Sequence, residues 1–401
     1  MKITAIISEY NPFHNGHKYL IEKSRQNGST HIIAVMGGNF LQRGNCAVLD
    51  KYYRAKAAVM GGVDLVIELS QIYAAASAEK FAFGAVQTLE KCGCTDELSF
   101  GAECGDISKL NRAADIITKN NEVQILCKQY IKQGYSHPRA MQAAVEELLQ
   151  DGDNLSEILK SPNNTLAVEY IRTLKSLNSS ITPFAVKRVG AMHDSSITEN
   201  NFASASNIRE MLLNSDNSYK EYVPNTTAEI IEECIKNGEC PAVFGNNDRG
   251  ILTVLRRMTK EDFAEIPDVT EGLENRLVKA VREQNSVSDI ITAVKCKRYT
   301  HARLSRIIAC AYLGITKDIS SLAPKYIRVL AFNDRGTDIL KLMKKSAALP
   351  VVMSLAKDIK KLDDLGRRMI EIDLRASDLY GVLTPNVQGC GKDFYKGAVK
   401  L

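Results

Sequence analysis

Four short apolar runs in the first hundred residues are each followed by a segment of helical periodicity. Lys2–Ser8 is the first, broken by Asn11-Pro12, and a helical pattern runs from about Asn15 to Gln26 with Tyr19, Leu20 and Ser24 in its interior. Residues 31–36 form a second run, stopped by Gly37-Gly38. Asp50 has the character of an N-cap for a helix through Met60, which Gly61-Gly62 end. Asp64–Glu68 is a third strand, Ser77 opens a helix to about Lys91, and Glu97–Phe100 is a fourth strand. Strands apolar on both faces and alternating with helices predict an α/β fold, a doubly wound parallel sheet covered on both sides. Residues 106–180 read as a mainly helical insertion, Thr182–Lys187 as a fifth strand and Asn207–Leu213 as the helix after it, which closes this domain near residue 215. Around Pro224 the pattern changes. Ala228–Lys236, Leu273–Glu283 and Arg303–Leu313 are helical, with little sign of buried strands until 350–354, so residues 216–401 are expected to be a mainly α-helical domain.

Composition narrows the class without naming it. A chain of 401 residues with 45% apolar and 25% charged residues is ordinary globular protein of about two domains. No stretch approaches the roughly 20 apolar residues that span a bilayer. The N-terminal run meets Glu9 at once and reads as a buried strand rather than a signal peptide, so a cytoplasmic protein without a membrane partner is expected. The ten cysteines include no Cys-x-x-Cys pair; Cys92, Cys94 and Cys104, the one cluster, read as reduced thiols at apolar positions rather than a metal site. Net charge is only +5, but between Lys295 and Lys345 twelve basic residues are opposed by Asp318, Asp334 and Asp338 alone, an excess able to hold a phosphate backbone.

The chemistry concentrates where the first strand turns into the first helix, in Glu9-Tyr10-Asn11-Pro12-Phe13-His14-Asn15-Gly16-His17. Ligands of doubly wound sheets bind beyond the carboxyl ends of the strands, and the following helix offers free N–H groups to an anion. His14 and His17, three apart at a helix start, can face the same way, and Gly16 leaves room for a nucleotide to approach. Two imidazoles there can donate to phosphate oxygens as charge builds on a reacting phosphorus, which makes His14 and His17 the candidate catalytic pair. The bland alternative is a pair of surface or capping histidines. Gly101 after strand four would admit a base or ribose, or is simply a turn. Ser204, Ser206 and Arg209 place two hydroxyls and a guanidinium at a helix start suited to a terminal phosphate; the alternative is a serine N-cap beside a solvated arginine. Asn163 and Asn164 open another helix and Arg188 closes strand five, and position alone leaves their roles open. His31, His137 and His193 lack comparable context and read as structural.

These motifs together resemble the nucleotidylyltransferase superfamily of the His-x-Gly-His type and, more narrowly, the bacterial tRNA(Met) cytidine acetate ligase family. The likeness is carried by residues 9–17, Gly38-Asn39-Phe40-Leu41-Gln42-Arg43-Gly44, Asp64-Leu65-Val66-Ile67-Glu68-Leu69, Ser161-Pro162-Asn163-Asn164, Phe202–Arg209 and, weakly, Tyr326–Leu330. Two departures stand out: Ser70 where proline is expected, and Asn45-Cys46 where Glu-Pro is usual. The resemblance implies a Rossmann-like nucleotidyltransferase domain and a two-step reaction. Acetate attacks the α-phosphate of ATP, giving acetyl-adenylate and pyrophosphate; the acetyl group then passes to N4 of the wobble cytidine of elongator tRNA(Met), releasing AMP. It also implies an ATP site made of Ile7, Ser8, Glu9, Tyr10, Asn11, Pro12, Phe13, His14, Asn15, Gly16, His17, Lys18, Tyr19 and Leu20 with Gly101, Asn163 of the asparagine pair, and Arg188.

Acetate is already ionised near neutrality and needs no base, only electrostatic relief beside a polyanion; imidazoles, a helix N-terminus, Arg188 or Arg209 and Mg²⁺ would supply it. The group that takes the proton of the cytidine amine is not identifiable from the sequence. Arg43, on the loop after strand two, is expected to border the pocket and is a candidate tRNA contact. Lys295, Lys297, Arg298, Arg303 and Arg306 are the candidate tRNA surface, the alternative being a solvated helical face. Tyr299 and Tyr312 could stack on bases, but tyrosines in a helical domain are more often core or boundary residues. Two rival functions remain, a transferase for a small phosphorylated metabolite and an RNA-binding protein without turnover. The first leaves the basic helical region idle, and the intact histidine pair argues against the second.

Overall fold

The computed structural model describes residues 1–149, 155–188, 201–270 and 272–401. Among these residues one eight-stranded sheet forms. Its strands are β1 (Ile3–Ser8), β2 (His31–Gly37), β3 (Leu65–Leu69), β4 (Glu97–Ala102), β5 (Thr182–Lys187), β6 (Ile327–Phe332), β7 (Val351–Val352) and β8 (Val399–Lys400). The order is β5-β4-β1-β2-β3-β6-β7, with β8 also paired to β6. Strands β1 to β5 run parallel, so the winding reverses between β1 and β4. Alternate side chains leave the sheet on opposite faces. Ile3, Ala5, Ile7, Ile33, Val35, Leu65 and Ile67 enter the larger core, while Ile6, Ile32, Ala34, Met36 and Val66 enter the other. Both faces are covered, which is why the strands read as unbroken apolar runs.

The helices follow their punctuation. Asn15–Gln26 and Leu273–Glu283 form over the expected residues, Asp50 caps Lys51–Met60, and Ser77 caps Ala78–Cys92. The insertion contributes four helices of 12 to 15 residues, at Ile107–Lys119, Asn121–Lys132, His137–Leu149 and Pro162–Ser176. Cys92 is fully buried, and Cys94 and Cys104 pack against the same core. No helix among the described residues is long and apolar enough to cross a membrane.

The C-terminal half differs from expectation at Ile327–Phe332. This segment is a buried strand, antiparallel to β3, so residues beyond 216 complete the sheet begun by residues 1–69. The arginine at its second position obscured it, because Arg328 is buried where a surface charge is the ordinary reading. Its guanidinium lies 3.2 Å from Glu68 and 3.1 Å from Asp393, and Lys51 lies 2.8 Å from Glu68 and 2.9 Å from Asp393. The Tyr52 hydroxyl donates to Asp393 at 3.0 Å. Burial opposes ionisation of Asp393, and Lys51 and Arg328 overcome it, holding its carboxyl well below the usual range. Two cations and two anions thus join helix Lys51–Met60, β3, β6 and the turn Lys392–Tyr395.

A second buried junction accounts for one departure from the family pattern. Ser70 donates its hydroxyl to Asp373 at 2.9 Å, the Gln71 N–H donates to the same oxygen at 2.7 Å, and the Tyr326 hydroxyl donates to the other at 2.5 Å. A proline at 70 would lack that donor. Asn45 and Cys46 also have local roles: the Asn45 carbonyl accepts from Leu41 at 2.9 Å, and Cys46 bridges to Phe40.

Removing one partner of a buried ion network strands the others without compensation, at a cost of about 3–5 kcal/mol. Asp393→Ala is expected to lower the stability measured by urea unfolding by about that amount, whereas an unchanged midpoint would show that the sheet closes independently of the network.

Candidate functional site

The reversal between β1 and β4 opens a crevice at the carboxyl ends of the strands, the general position for ligands in open α/β sheets. A cavity of about 510 Å³ lies there, and its lining includes Ile7–Asn11, His14, Gly16, His17, Tyr19 and Leu20. Gly101 of β4, Asn163, Arg188, Phe202–Ser206 and Arg209 complete the sequence-predicted part, and Gln42 and Arg43 border it from the loop after β2. Residues as far apart in sequence as Ile7 and Arg209 therefore meet around one space.

His14 is the N-cap of the first helix, and it and His17 exchange hydrogen bonds with the backbone. Nδ1 of His14 accepts from the Gly16 N–H at 3.0 Å, and Nδ1 of His17 accepts from the His14 N–H at 3.2 Å. An imidazole that accepts at Nδ1 carries its proton on Nε2. The rings stack with centroids 3.7 Å apart, and the Tyr10 ring meets His17 edge-on at 4.8 Å. Burial, then Arg188 and Arg209, push His14 down to about 3; burial, then His14 and Arg188, hold His17 well below its ordinary value. Both are therefore neutral near pH 7, and each has one Nε2–H to donate. The capping role is thus real, and it leaves Nε2–H as the free donor of each ring. Gly16 serves this packing first: a Cβ there would come within 2.9 Å of the His14 ring.

The positive charge of the crevice comes from arginines. Arg209 donates to the Asn11 carbonyl and to the Ser206 hydroxyl, both at 3.0 Å, so it is held against the motif rather than solvated. Ser204 is the N-cap of Ala205–Leu213, its hydroxyl accepting from the Asn207 N–H at 3.1 Å. Burial lowers the Arg188 pKa, and Glu103 works against that. Glu103 accepts from the Asn163 side chain at 2.6 Å and from the Asn164 N–H at 3.0 Å. The two asparagines are distinguished by what they touch. Asn163 lines the cavity, whereas Asn164 is buried and accepts from the Cys104 N–H at 3.0 Å. A Cβ on Gly101 would meet the Arg188 side chain at 3.4 Å, an ordinary contact.

Four residues of the implied segment do not line the cavity. Phe13 is fully buried in the smaller core, and Pro12 follows a cis peptide bond after Asn11. Asn15 donates to the carbonyls of Asn201 and Glu221 at 3.0 and 3.1 Å, and Lys18 borders a separate surface cleft beside Arg25. Sequence reasoning missed Arg54. It is fully buried and donates to the carbonyls of Glu9 at 2.6 Å, Gly37 at 3.0 Å, Gly38 at 2.5 Å and Leu49 at 2.9 Å, tying the ends of β1 and β2 together. Phe81, Phe100, Leu166 and Tyr170, which give the cavity an apolar wall, were also missed; aromatic and aliphatic spacing in a helix or strand signals core and nothing more specific.

The basic stretch divides. Lys295 and Lys297 are exposed and Arg298 is half-buried. Arg303 donates to the Asp268 carbonyl at 2.7 Å and to Thr270 at 2.9 Å, and Arg306 pairs with the Asp268 carboxylate at 3.1 Å. Those two arginines therefore hold residues 268–270 to helix His301–Leu313. Tyr299 is buried beneath Arg303, and Tyr312 packs among Phe40 and Phe244. The same helix supports the pocket loop: at Gly44, with φ +80°, a Cβ would lie 2.3 Å from the Arg306 backbone nitrogen. His31 and His301 make local contacts with Thr30 and Ser305, His137 begins a helix of the insertion, and His193 lies outside the described residues.

The chain is similar to known proteins along its whole length. The profile of the family described as HIGH Nucleotidyl Transferase matches residues 1–393. The chain is 38% identical over 406 residues to the tRNA(Met) cytidine acetate ligase of Caldanaerobacter subterraneus subsp. tengcongensis, and 37% identical over 406 residues to that of a Thermoanaerobacter species, covering 100% of each chain. It is similar in structure to Thermotoga maritima TmcAL, with a TM-score of 0.94 and 34% identity to the apo form. To the form bound with alpha-thio ATP the TM-score is 0.92 at 33% identity, again over 100% of both chains.

Because folding lowers both histidine pKa values, the stability linked to the neutral rings is complete above the unfolded value of about 6.5 and is lost as pH falls from there toward the folded values. Nitrogen-15 spectra of the free protein at neutral and mildly acidic pH are expected to show His14 and His17 neutral with the proton on Nε2. A ring titrating near its ordinary value would contradict the assigned geometry.

Proposed function

The chain belongs to the HIGH nucleotidyl transferase family, and from that premise we propose that it is an ATP-dependent tRNA(Met) cytidine acetate ligase. One observation carries the reading furthest. Two neutral imidazoles, Arg188 and Arg209 converge on a single crevice at the sheet's winding reversal. Such a site is rich in donors and poor in bases, and acetate, itself a carboxylate, asks for donors alone.

In the first step the triphosphate lies across the start of the first helix, and Nε2–H of His14 and His17 donates to phosphate oxygens as charge shifts toward pyrophosphate. Neutral donors suit this position. They stabilise developing charge without the cost of burying two more cations beside Arg188 and Arg209. Ser204, Ser206 and the N-terminus of Ala205–Leu213 face the terminal phosphates, with Arg209 between them and the motif. The wall of Phe81, Phe100, Leu166 and Tyr170 offers an apolar surface to the base, and Asn163 and Arg188 border it. Magnesium would enter with the triphosphate, since among the described residues no group of three His, Cys, Asp or Glu side chains is placed to hold a metal.

In the second step the tRNA meets the enzyme along residues 216–401, which we assign as the RNA-binding part, with the catalytic part in 1–215. Lys295, Lys297 and Arg298 at the start of helix His301–Leu313 are the candidate phosphate contacts, and Arg303 and Arg306 act by holding that helix in place. The loop Gly38–Gly44 lies between this helix and the cavity, so RNA on the basic face has its anticodon beside Arg43. The elongator species of tRNA(Met) and its wobble cytidine are the proposed targets.

Purified protein supplied with ATP, acetate and tRNA(Met) is expected to yield AMP, pyrophosphate and N4-acetylcytidine, the last read by nucleoside mass spectrometry. His17→Ala is expected to reduce acetate-dependent pyrophosphate release by about 10²–10³-fold while tRNA binding persists. Pyrophosphate release indifferent to both acetate and tRNA would instead favour a small-metabolite transferase.

A further inference from the structure

The amine that attacks in the second step must lose a proton, and the cavity holds one side chain of the right kind. Glu9 is the only acidic residue among the described residues lining it. Glu103 is close, but both its oxygens are engaged by the Asn163–Asn164 pair. The Glu9 carboxylate is half-engaged. Its Oε1 accepts from the Gln42 N–H at 2.9 Å, and its Oε2 has no hydrogen-bond donor among the described residues.

The surroundings hold this carboxylate in one place. The Glu9 carbonyl accepts from buried Arg54 at 2.6 Å, which fixes the backbone at the end of β1. The Gln42 amide that anchors Oε1 belongs to a loop braced on several sides. The Gln71 side chain accepts from the Phe40 N–H at 3.2 Å and donates to the Phe40 carbonyl at 2.7 Å, and the Gln42 side chain donates to the Ala76 carbonyl at 3.3 Å. Gly44 closes the loop against helix His301–Leu313. One carboxylate oxygen is therefore pinned by the loop that separates the cavity from the basic helical region, and the other is left to a ligand.

We infer that Glu9 is the general base of acetyl transfer, accepting a hydrogen bond from the cytidine N4 amine and then taking its proton; this rests on the acetate-ligase reading above. A carboxylate is the side chain that matches an exocyclic amine donor of cytosine, so the same group recognises the base and activates it. It has no use in the first step, where the nucleophile is another carboxylate and would be repelled. In the second step the N4 lone pair forms a bond to the acetyl carbonyl carbon. The bond from that carbon to the adenylate oxygen breaks, and its electron pair leaves with AMP. The nitrogen, positively charged after addition, gives its proton to Glu9, which passes it to solvent. Positioned general bases contribute about 10²–10⁴-fold.

The test supplies synthetic acetyl-adenylate and tRNA(Met) to full-length protein under single-turnover conditions and follows N4-acetylcytidine. Glu9→Gln is expected to transfer about 10²–10⁴-fold more slowly than wild type. Glu9→Ala is expected to regain transfer when formate, a carboxylate small enough for the vacated place, is added. Transfer by Glu9→Gln within about threefold of wild type, well short of the general-base range, would overturn the assignment. So would a defect confined to pyrophosphate release from ATP and acetate. Absence of transfer by the wild-type protein would instead overturn the acetate-ligase reading itself.

Discussion

The site depends on a reciprocal cap: each of two histidines uses Nδ1 to accept a backbone N–H at the start of the first helix. This single exchange does three things. It satisfies helix-terminal donors that would otherwise be unpaired in a buried place. It selects the Nε2–H tautomer on both rings, and it stacks those rings so that the one donor left on each is available to a ligand. Burial, with Arg188 close to both rings, keeps both uncharged, so the donors add no positive charge to a crevice already supplied with guanidinium groups. The hydrogen bonds that cap the helix through Nδ1 thereby decide which nitrogen of each ring is left to donate.

Much of the fold was legible because it obeys local rules. Unbroken apolar runs marked β1 to β4, and Asp50, Ser77 and Gly61 marked helix ends with their usual chemistry. What was not legible depends on partners distant in sequence. Arg328 inside β6 makes sense only once Glu68, Lys51 and Asp393 are brought around it, across more than 300 residues. The same network joins the last turns of the chain to the N-terminal sheet, so a boundary near residue 215, plausible from periodicity, does not divide the sheet.

The site shows the same contrast. His14, His17, Ser204, Ser206 and Arg209 sit at helix starts, and their positions in the chain already pointed toward an anion. Gly101, Asn163 and Arg188 became interpretable through family resemblance, and the structure places them on the same crevice. Arg54 carried no signal, since one arginine inside a helix looks like any solvated charge until four carbonyls surround it. Glu9 was hidden differently. It stood within a recognised motif, and its distinction as the one carboxylate lining the cavity among the described residues appears only when the lining is assembled from eight separate stretches of chain. In the basic region the chain pattern showed the charges but not their partners: Arg303 and Arg306 donate to residues 268–270, while Lys295 and Lys297 before them are exposed.

The central claim is that paired neutral imidazoles hold the triphosphate of a nucleotide lodged between β1 and β4. A crystal of this protein soaked with a non-hydrolysable ATP analogue measures it directly. Nε2 of both His14 and His17 is expected within hydrogen-bond distance of phosphate oxygens, with the base against Phe81, Phe100 and Tyr170. A nucleotide bound elsewhere, or one whose phosphates turn away from both rings, would contradict it.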